Sequence, residues 1–177
     1  MRYVLGLTLL SLALIGCGSE PPVPPIDKWI TYDSLERYTI LLPNHPLTYD
    51  KDVKGIPVRF AVREINPELG VVISSSELPA GTLGDAVKRK AFLAKYLKDL
   101  VGEGKLLEQK EIPGPSKLTG LGYRATTSLQ GKSKEGIMRG RIFFIDGRLI
   151  NVMLIGSTEM LDLPEISACL DSIKLKS

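Results

Sequence analysis

The segment Leu149 to Ile155 is the strongest constraint on the fold. Its apolar residues do not alternate with polar ones; both faces of an extended chain there are largely apolar. A strand of that kind is stable only when it lies in the interior of a sheet and is covered on both sides. The chain therefore requires a layered structure with packing elements above and below a sheet. Asp146-Gly147 precedes this segment and follows another apolar run, Gly136 to Ile145. Asp-Gly between two such runs is the signature of a two-residue type I′ hairpin. Leu121 to Leu129 adds a third strand to the same meander.

Other segments supply the covering layers and the rest of the sheet. Trp29 to Tyr32 and Tyr38 to Leu42 read as short strands joined by a turn at Asp33-Ser34-Leu35-Glu36, and Pro43-Asn44-His45-Pro46 ends the second. Ile56 to Ile65 alternates, with Ile56, Val58, Phe60 and Val62 on one face and Arg59 and Arg63 on the other. Asn66-Pro67-Glu68 turns it into a strand over Leu69 to Ser75. Lys105 to Ile112 is a further strand, stopped by Pro113-Gly114-Pro115.

Thr82 to Val101 reads as the principal helix. Thr82 and Asp85 have capping-box spacing, and Leu83, Val87, Leu93, Ala94, Leu97, Leu100 and Val101 form a stripe near period 3.6. Gly102 supplies the stop. Lys88, Arg89, Lys95 and Lys98 lie off that stripe and read as a solvated face. A final helix is expected from Asp162, with Asp162 and Glu165 at cap spacing and Ile166, Cys169, Leu170 and Ile173 buried. Antiparallel strands with one helix in mid-chain and one at the end describe an α+β sandwich.

The first residues point to an address. Met1-Arg2-Tyr3 is cationic, and Val4 to Ile15 is an apolar run of 12 residues. That is signal-peptide length and shorter than the ~20 residues of a spanning helix. The run ends in Leu14-Ile15-Gly16-Cys17. This resembles the bacterial lipobox, which implies diacylglyceryl transfer to the Cys17 thiol and cleavage after Gly16. Residues 1–16 are thus expected to be a lipoprotein signal peptide, and residues 17–28 a lipidated Cys followed by a Pro-rich linker. Pro21, Pro22, Pro24 and Pro25 favour polyproline II over Gly18 to Lys28, a reach of roughly 34 Å at ~3.1 Å per residue. Residues 29–177 form the globular domain. The expected location is the cell envelope, with a membrane held through the lipid anchor.

Composition narrows the chemistry. The net charge is +3, and loss of the signal peptide removes Arg2 and leaves +2. A general nucleic-acid binder needs a concentrated basic face, so nucleic acid is not an expected partner. His45 is the one histidine, in a Pro-flanked turn, and with Cys17 lipidated Cys169 has no disulfide partner. No spacing suits zinc, no Gly-x-Ser-x-Gly elbow occurs, and no cofactor is implied. Gly131-Lys132-Ser133 lacks the upstream glycine of a P-loop and falls between two strands.

One constellation could form a site. Arg139 and Arg141 share a strand face. With a two-residue turn at Gly131-Lys132, Arg124 stands opposite Arg139. Three guanidiniums on one sheet face could bind an anionic ligand or partner. Like charges directly opposed destabilise a sheet, so either the register differs or acidic neighbours such as Glu108, Glu111 or Glu135 neutralise them.

Three motifs resemble a known family. Trp29-Ile-Thr-Tyr-Asp-Ser-Leu-Glu-Arg-Tyr-Thr-Ile-Leu-Leu-Pro43 is similar to the opening of PsbP-like domains. Arg141-Ile-Phe-Phe-Ile-Asp-Gly-Arg-Leu-Ile-Asn-Val152 resembles their late hairpin, and Cys169-Leu-Asp-Ser-Ile-Lys-Leu175 their closing helix. Cys169 and Ile173 depart from the aromatics usual there. The resemblance implies an α/β/α sandwich, as in the photosystem II extrinsic protein PsbP and a Ran-binding transport factor. It brings no catalytic residues. The function expected is a non-enzymatic binding or assembly module with a protein partner. The alternatives are a carrier of a small or lipidic ligand and an envelope enzyme.

Overall fold

The computed structural model describes residues 23–34, 37–53, 55–78, 81, 84–115, 119–128 and 135–176. Cys17 and Gly16 lie outside the described residues. Among the described residues ten strands and three α-helices follow in chain order: β1 (Ile30–Asp33), β2 (Tyr38–Leu42), β3 (Leu47–Val53), β4 (Ile56–Asn66), β5 (Leu69–Glu77), α1 (Ala86–Val101), β6 (Leu106–Pro113), β7 (Thr119–Ser128), β8 (Glu135–Ile145), β9 (Arg148–Gly156), α2 (Thr158–Leu161), α3 (Pro164–Asp171) and β10 (Lys174–Leu175). Seven of the strands form one antiparallel sheet in the order β3-β4-β5-β9-β8-β7-β6. A second, small sheet has the order β1-β2-β10.

The doubly apolar strand sits where its sequence requires. β9 is the middle strand of the large sheet, and Leu149 through Leu154 are all buried. Its even-numbered residues Ile150, Val152 and Leu154 pack with Val71, Ile73 and Phe143 against β2, α2 and α3. Its odd-numbered residues Leu149 and Met153 pack with Tyr123, Ala125, Met138 and Phe144 against Leu93 and Leu97 of α1. The hairpin before it is tight: Asp146 and Gly147 have φ of 46° and 79°, as a type I′ turn demands. The architecture is α+β, with α1 on one face of the large sheet and the small sheet with α2 and α3 on the other.

Five details differ from the sequence reading. Leu47–Val53, to which the sequence assigns no element, is a strand; it is an edge, exposed nearly throughout, so its charged sequence carries no burial signal. α1 begins at Ala86, and its cap is Asp85, whose carboxylate accepts from the amides of Val87 at 2.7 Å and Lys88 at 3.2 Å. Thr82 lies outside the described residues. Val87 is 77% exposed and Ala94 is exposed, whereas Phe92 and Tyr96, absent from the expected stripe, pack on the core. The last helix starts at Pro164 with Leu163 at its cap, because the Asp162 side chain is held elsewhere. Finally, Val23 and Ile26 pack on the core, Ile26–Lys28 forms a 3-10 turn, and the Trp29 indole N–H donates to the Pro24 carbonyl at 2.8 Å. The end of the segment read as linker is therefore part of the folded domain.

Candidate functional site

β7 and β8 pair in the register that places Arg124 opposite Arg139 and Gly122 opposite Arg141. All three arginines lie on the face that carries α2 and α3, as the two-residue alternation of a strand dictates. Arg124 makes a two-pronged pair with Asp162, Nη1 to Oδ1 at 2.7 Å and Nη2 to Oδ2 at 3.2 Å. Arg139 donates from Nη1 to the Leu161 carbonyl at 2.9 Å and from Nη2 to Ser167 Oγ at 3.1 Å. Arg141 donates from Nη1 to the Leu170 carbonyl at 3.0 Å, and its Nη2 pairs with the Asp171 carboxylate.

The pattern has a physical reason. Leu161 ends α2, and Leu170 lies in the last turn of α3. The last carbonyls of a helix have no partner within it, and the helix dipole makes that end negative. A guanidinium offers five donors in a planar fork and so can hold a terminal carbonyl and a neighbouring side chain together. Arg139 and Arg141 cap two short helices in this way and fix them to the sheet. The neutralising groups are Asp162 and Asp171 from the C-terminal segment. Glu108 and Glu111 have their described ion pairs with Lys110 and Lys90, and the side chain of Glu135 lies outside the described residues.

The electrostatics follow this geometry. The hydrogen bonds from Arg124 hold the Asp162 carboxyl below its ordinary range, and the charges of Arg124 and Arg139 add to the effect. The arginine side chains at 124 and 141 keep only 23% of their surface exposed. An external anion would have to compete with acceptors already supplied by the chain.

A second polar group lies under α1. Tyr123 crosses the β8 glycine directly opposite it, Gly140, and its hydroxyl donates to Asn151 Oδ1 at 3.0 Å. A Cβ on Gly140 would come within 2.6 Å of that hydroxyl and of the Val152 carbonyl, so only glycine fits. Tyr96 of α1 is buried beside the same group, with Ser74 and Asn151 next to its hydroxyl. Burial raises the pKa of both tyrosines. Among the described residues no buried side-chain N or O atom is left without a hydrogen bond.

The remaining candidates are placed as follows. His45 is exposed in the turn before β3. Cys169 is buried among apolar residues of α3, and burial pushes its thiol up to about 12. Among the described residues no group of three His, Cys, Asp or Glu could hold a metal ion, and no helix is long and apolar enough to cross a membrane. A cleft of about 200 Å³ lies between the end of α1 and β6, lined by Leu97, Val101 and Leu106 with Lys98 and Gln109. Small-molecule sites span about 300–1,000 Å³, so this cleft is smaller than a carrier's pocket.

Asp162, Asp171 and Ser167 were not evident as arginine partners in the sequence. Asp162 resembles a helix cap, and Asp171 stands in a motif with no role attached. The separation of Arg124 from Asp162 leaves no local signal of the pair.

Comparison with known proteins adds to this geometry. No protein-family model and no curated protein sequence matches the chain. Among solved structures, the cyanobacterial PsbP protein of Synechocystis sp. PCC 6803 superposes with a TM-score of 0.53 at 17% identity, covering 94% of this chain and 98% of that one. A protein of unknown function from Pseudomonas aeruginosa, described as a putative regulator, gives 0.41 at 13% identity over 75% of this chain and 85% of its own. LpqN of Mycobacterium tuberculosis, described as involved in cell envelope biogenesis, gives 0.39 at 12% identity over 92% and 87%. The sandwich that holds the arginine clamp is thus a PsbP-like α+β fold.

Proposed function

We propose that this chain is an exported lipoprotein whose PsbP-like domain is a non-enzymatic binding or assembly module, held to a membrane of the cell envelope by acyl chains on Cys17. The observation that carries this reading is Leu14-Ile15-Gly16-Cys17 at the end of a 12-residue apolar run behind a cationic start. A small residue before the Cys suits cleavage, and the short run brings the sulfur to the membrane surface where a lipid donor is met. Two or more acyl chains hold a protein stably, whereas one is marginal. The reactive groups of the domain fit the same reading. The Cys169 thiol is buried and raised to about 12, and the clustered guanidiniums hold the protein's own helix ends.

Mass spectrometry of the amino-terminal peptide from membranes tests the anchor. The expected peptide begins at Cys17 and carries a diacylglyceryl thioether, and Cys17→Ala abolishes palmitate labelling. A peptide beginning at Met1, an unmodified thiol at position 17, or label persisting on the variant overturns the proposal.

A further inference from the structure

The α1 side of the large sheet is only partly covered. Seven strands at ~4.8 Å spacing make a face about 30 Å wide, and one helix covers about 10 Å of it. Leu93 and Leu97 seat α1 on a cluster drawn from β5, β7, β8 and β9. Beyond α1, toward the β3 edge, the same face continues with Phe60 and Val62 of β4, half-buried, and with Tyr49 and Leu47 opposite them on β3. Leu47 is 73% exposed and Tyr49 is 49% exposed. Tyr49 stacks on Phe60 with ring centroids 5.3 Å apart. Phe92 and Tyr96, stacked at 6.4 Å, flank the area from α1. An apolar floor bounded by a helix on one side and a strand edge on the other has the width of one missing helix.

Charge selects what fills it. α1 carries five cationic side chains against the single carboxylate of Asp99, a net +4 in a chain whose total is +3. Lys90 is paired with Glu111 on the far side of the helix, toward β6. Among the described residues no ion pair is formed by Lys88 or Lys95, which lie on the exposed side of α1, or by Lys51, which shares a face of β3 with Leu47 and Tyr49. The rim thus holds these three lysines together with two carboxylates, Asp99 on α1 and Glu64 on the Phe60 face of β4, a small positive balance in which the lysines are open to a partner's acids.

We infer that the trough between α1 and β3 receives an amphipathic helix of a protein partner, its apolar stripe on Phe60 and Tyr49 and its flanking Asp and Glu side chains against Lys51, Lys88 and Lys95. The inference rests on the proposed anchored binding module and names the chemistry of its partner. Val23, Ile26 and Trp29 pack on the opposite face of the sheet. The described chain thus enters the domain on the side away from the trough and does not cover it. Exposed aromatic anchors within a charged rim match the anatomy of helix-in-groove recognition.

The test places the photo-crosslinking residue p-benzoylphenylalanine at position 49 of the full chain expressed in its own cells, with position 159 on the opposite face as control. The expected result is an adduct at position 49 and not at 159, whose sequenced partner peptide is an apolar stripe flanked by Asp and Glu. The combined Lys51→Glu, Lys88→Glu and Lys95→Glu variant lowers the yield about tenfold, and the three Lys→Arg changes preserve it; circular dichroism checks that the charge-reversed variant is folded. A lipid adduct, an adduct to a second copy of this chain, a partner segment without acidic flanks, an unchanged yield on charge reversal, or no adduct overturns the inference. The amino-terminal peptide mass from the same membranes reads the anchor separately, so failure of one reading is distinguishable from failure of the other.

Discussion

Arg124 and Arg139 stand directly opposite one another across β7 and β8, yet their guanidiniums diverge to different acceptors, Asp162 for one and the Leu161 carbonyl with Ser167 for the other. Two like charges at this spacing would weaken a bare sheet. Here they become the means by which the C-terminal segment is held. The arginines differ in what their removal exposes. Arg139→Ala leaves a helix-terminal carbonyl without its donor and is expected to cost about 2 kcal/mol. Arg124→Ala breaks a pair whose acid is half-exposed and is expected to cost about 1 kcal/mol or less. Urea unfolding of the two variants ranks them, and equal losses contradict the clamp.

The pairing of Tyr123 with Gly140 gives a sharper expectation. Gly140→Ala drives a Cβ into the Tyr123 hydroxyl and the Val152 carbonyl and is expected to cost about 3 kcal/mol, the high end for overpacking. Shortening the tyrosine in the same chain, Gly140→Ala with Tyr123→Leu, relieves the side-chain part of the clash. The double variant recovers part of the loss in thermal unfolding. Strict additivity would show that the two residues do not meet as described.

Acid weakens the clamp in a defined direction. The folded-state pKa of Asp162 lies below its unfolded value, near 3.8. Its stabilising contribution is therefore complete above about pH 5 and is lost as the pH falls through the folded-state pKa. Asp162→Asn is expected to flatten the fall in stability below pH 4 while costing at most ~1 kcal/mol at pH 7. Denaturant midpoints measured from pH 2 to pH 7 check this, and parallel curves for the two proteins argue against it.

Alkali acts on the other face. Burial raises the pKa of Tyr96 and Tyr123 above the ordinary value of 10.0. Both groups contribute stability below that value, and the contribution is lost as the pH rises beyond it, because the unfolded chain ionises first. Tyr123→Phe is expected to reduce the slope of stability against pH above about pH 10, read by urea unfolding with tyrosinate absorbance as the probe of ionisation. An unchanged slope overturns this assignment.

Cys169 provides a probe of folding. With its thiol buried and raised to about 12, it is expected to resist iodoacetamide in the native protein and to react once urea unfolds it. Fast labelling under native conditions, followed by mass, shows instead that α3 opens locally.

The layered fold was legible because burial leaves a strong pattern. The apolar run of β9, the Asp-Gly turn and the stripe of α3 each record a partner on a known side. β3 was not legible, since Leu47-Thr-Tyr-Asp-Lys-Asp-Val is an edge strand exposed nearly throughout, and only its ladder to β4 makes it a strand. The Arg124–Arg139 register was legible from counting across one turn. Their acceptors were not, because a pair such as Arg139 with the Leu161 carbonyl uses a backbone atom, and no residue type announces it. The helix start at Ala86 escaped the reading for a related reason: Asp85 fills equally well the third position of one helix or the cap of the next.

The small sheet has a temporal consequence. β2 is among the first strands to be made, but one of its neighbours, β10, is paired through Lys174 and Leu175, made after every other described strand. Lys176 then ties this end to Asp33 and the Ser34 carbonyl. A chain delivered from its amino end must hold Tyr38 and Thr39 without this partner until β10 arrives. A molecule cut before Lys174 therefore lacks the seam between β2 and β10, however sound the rest of the sandwich.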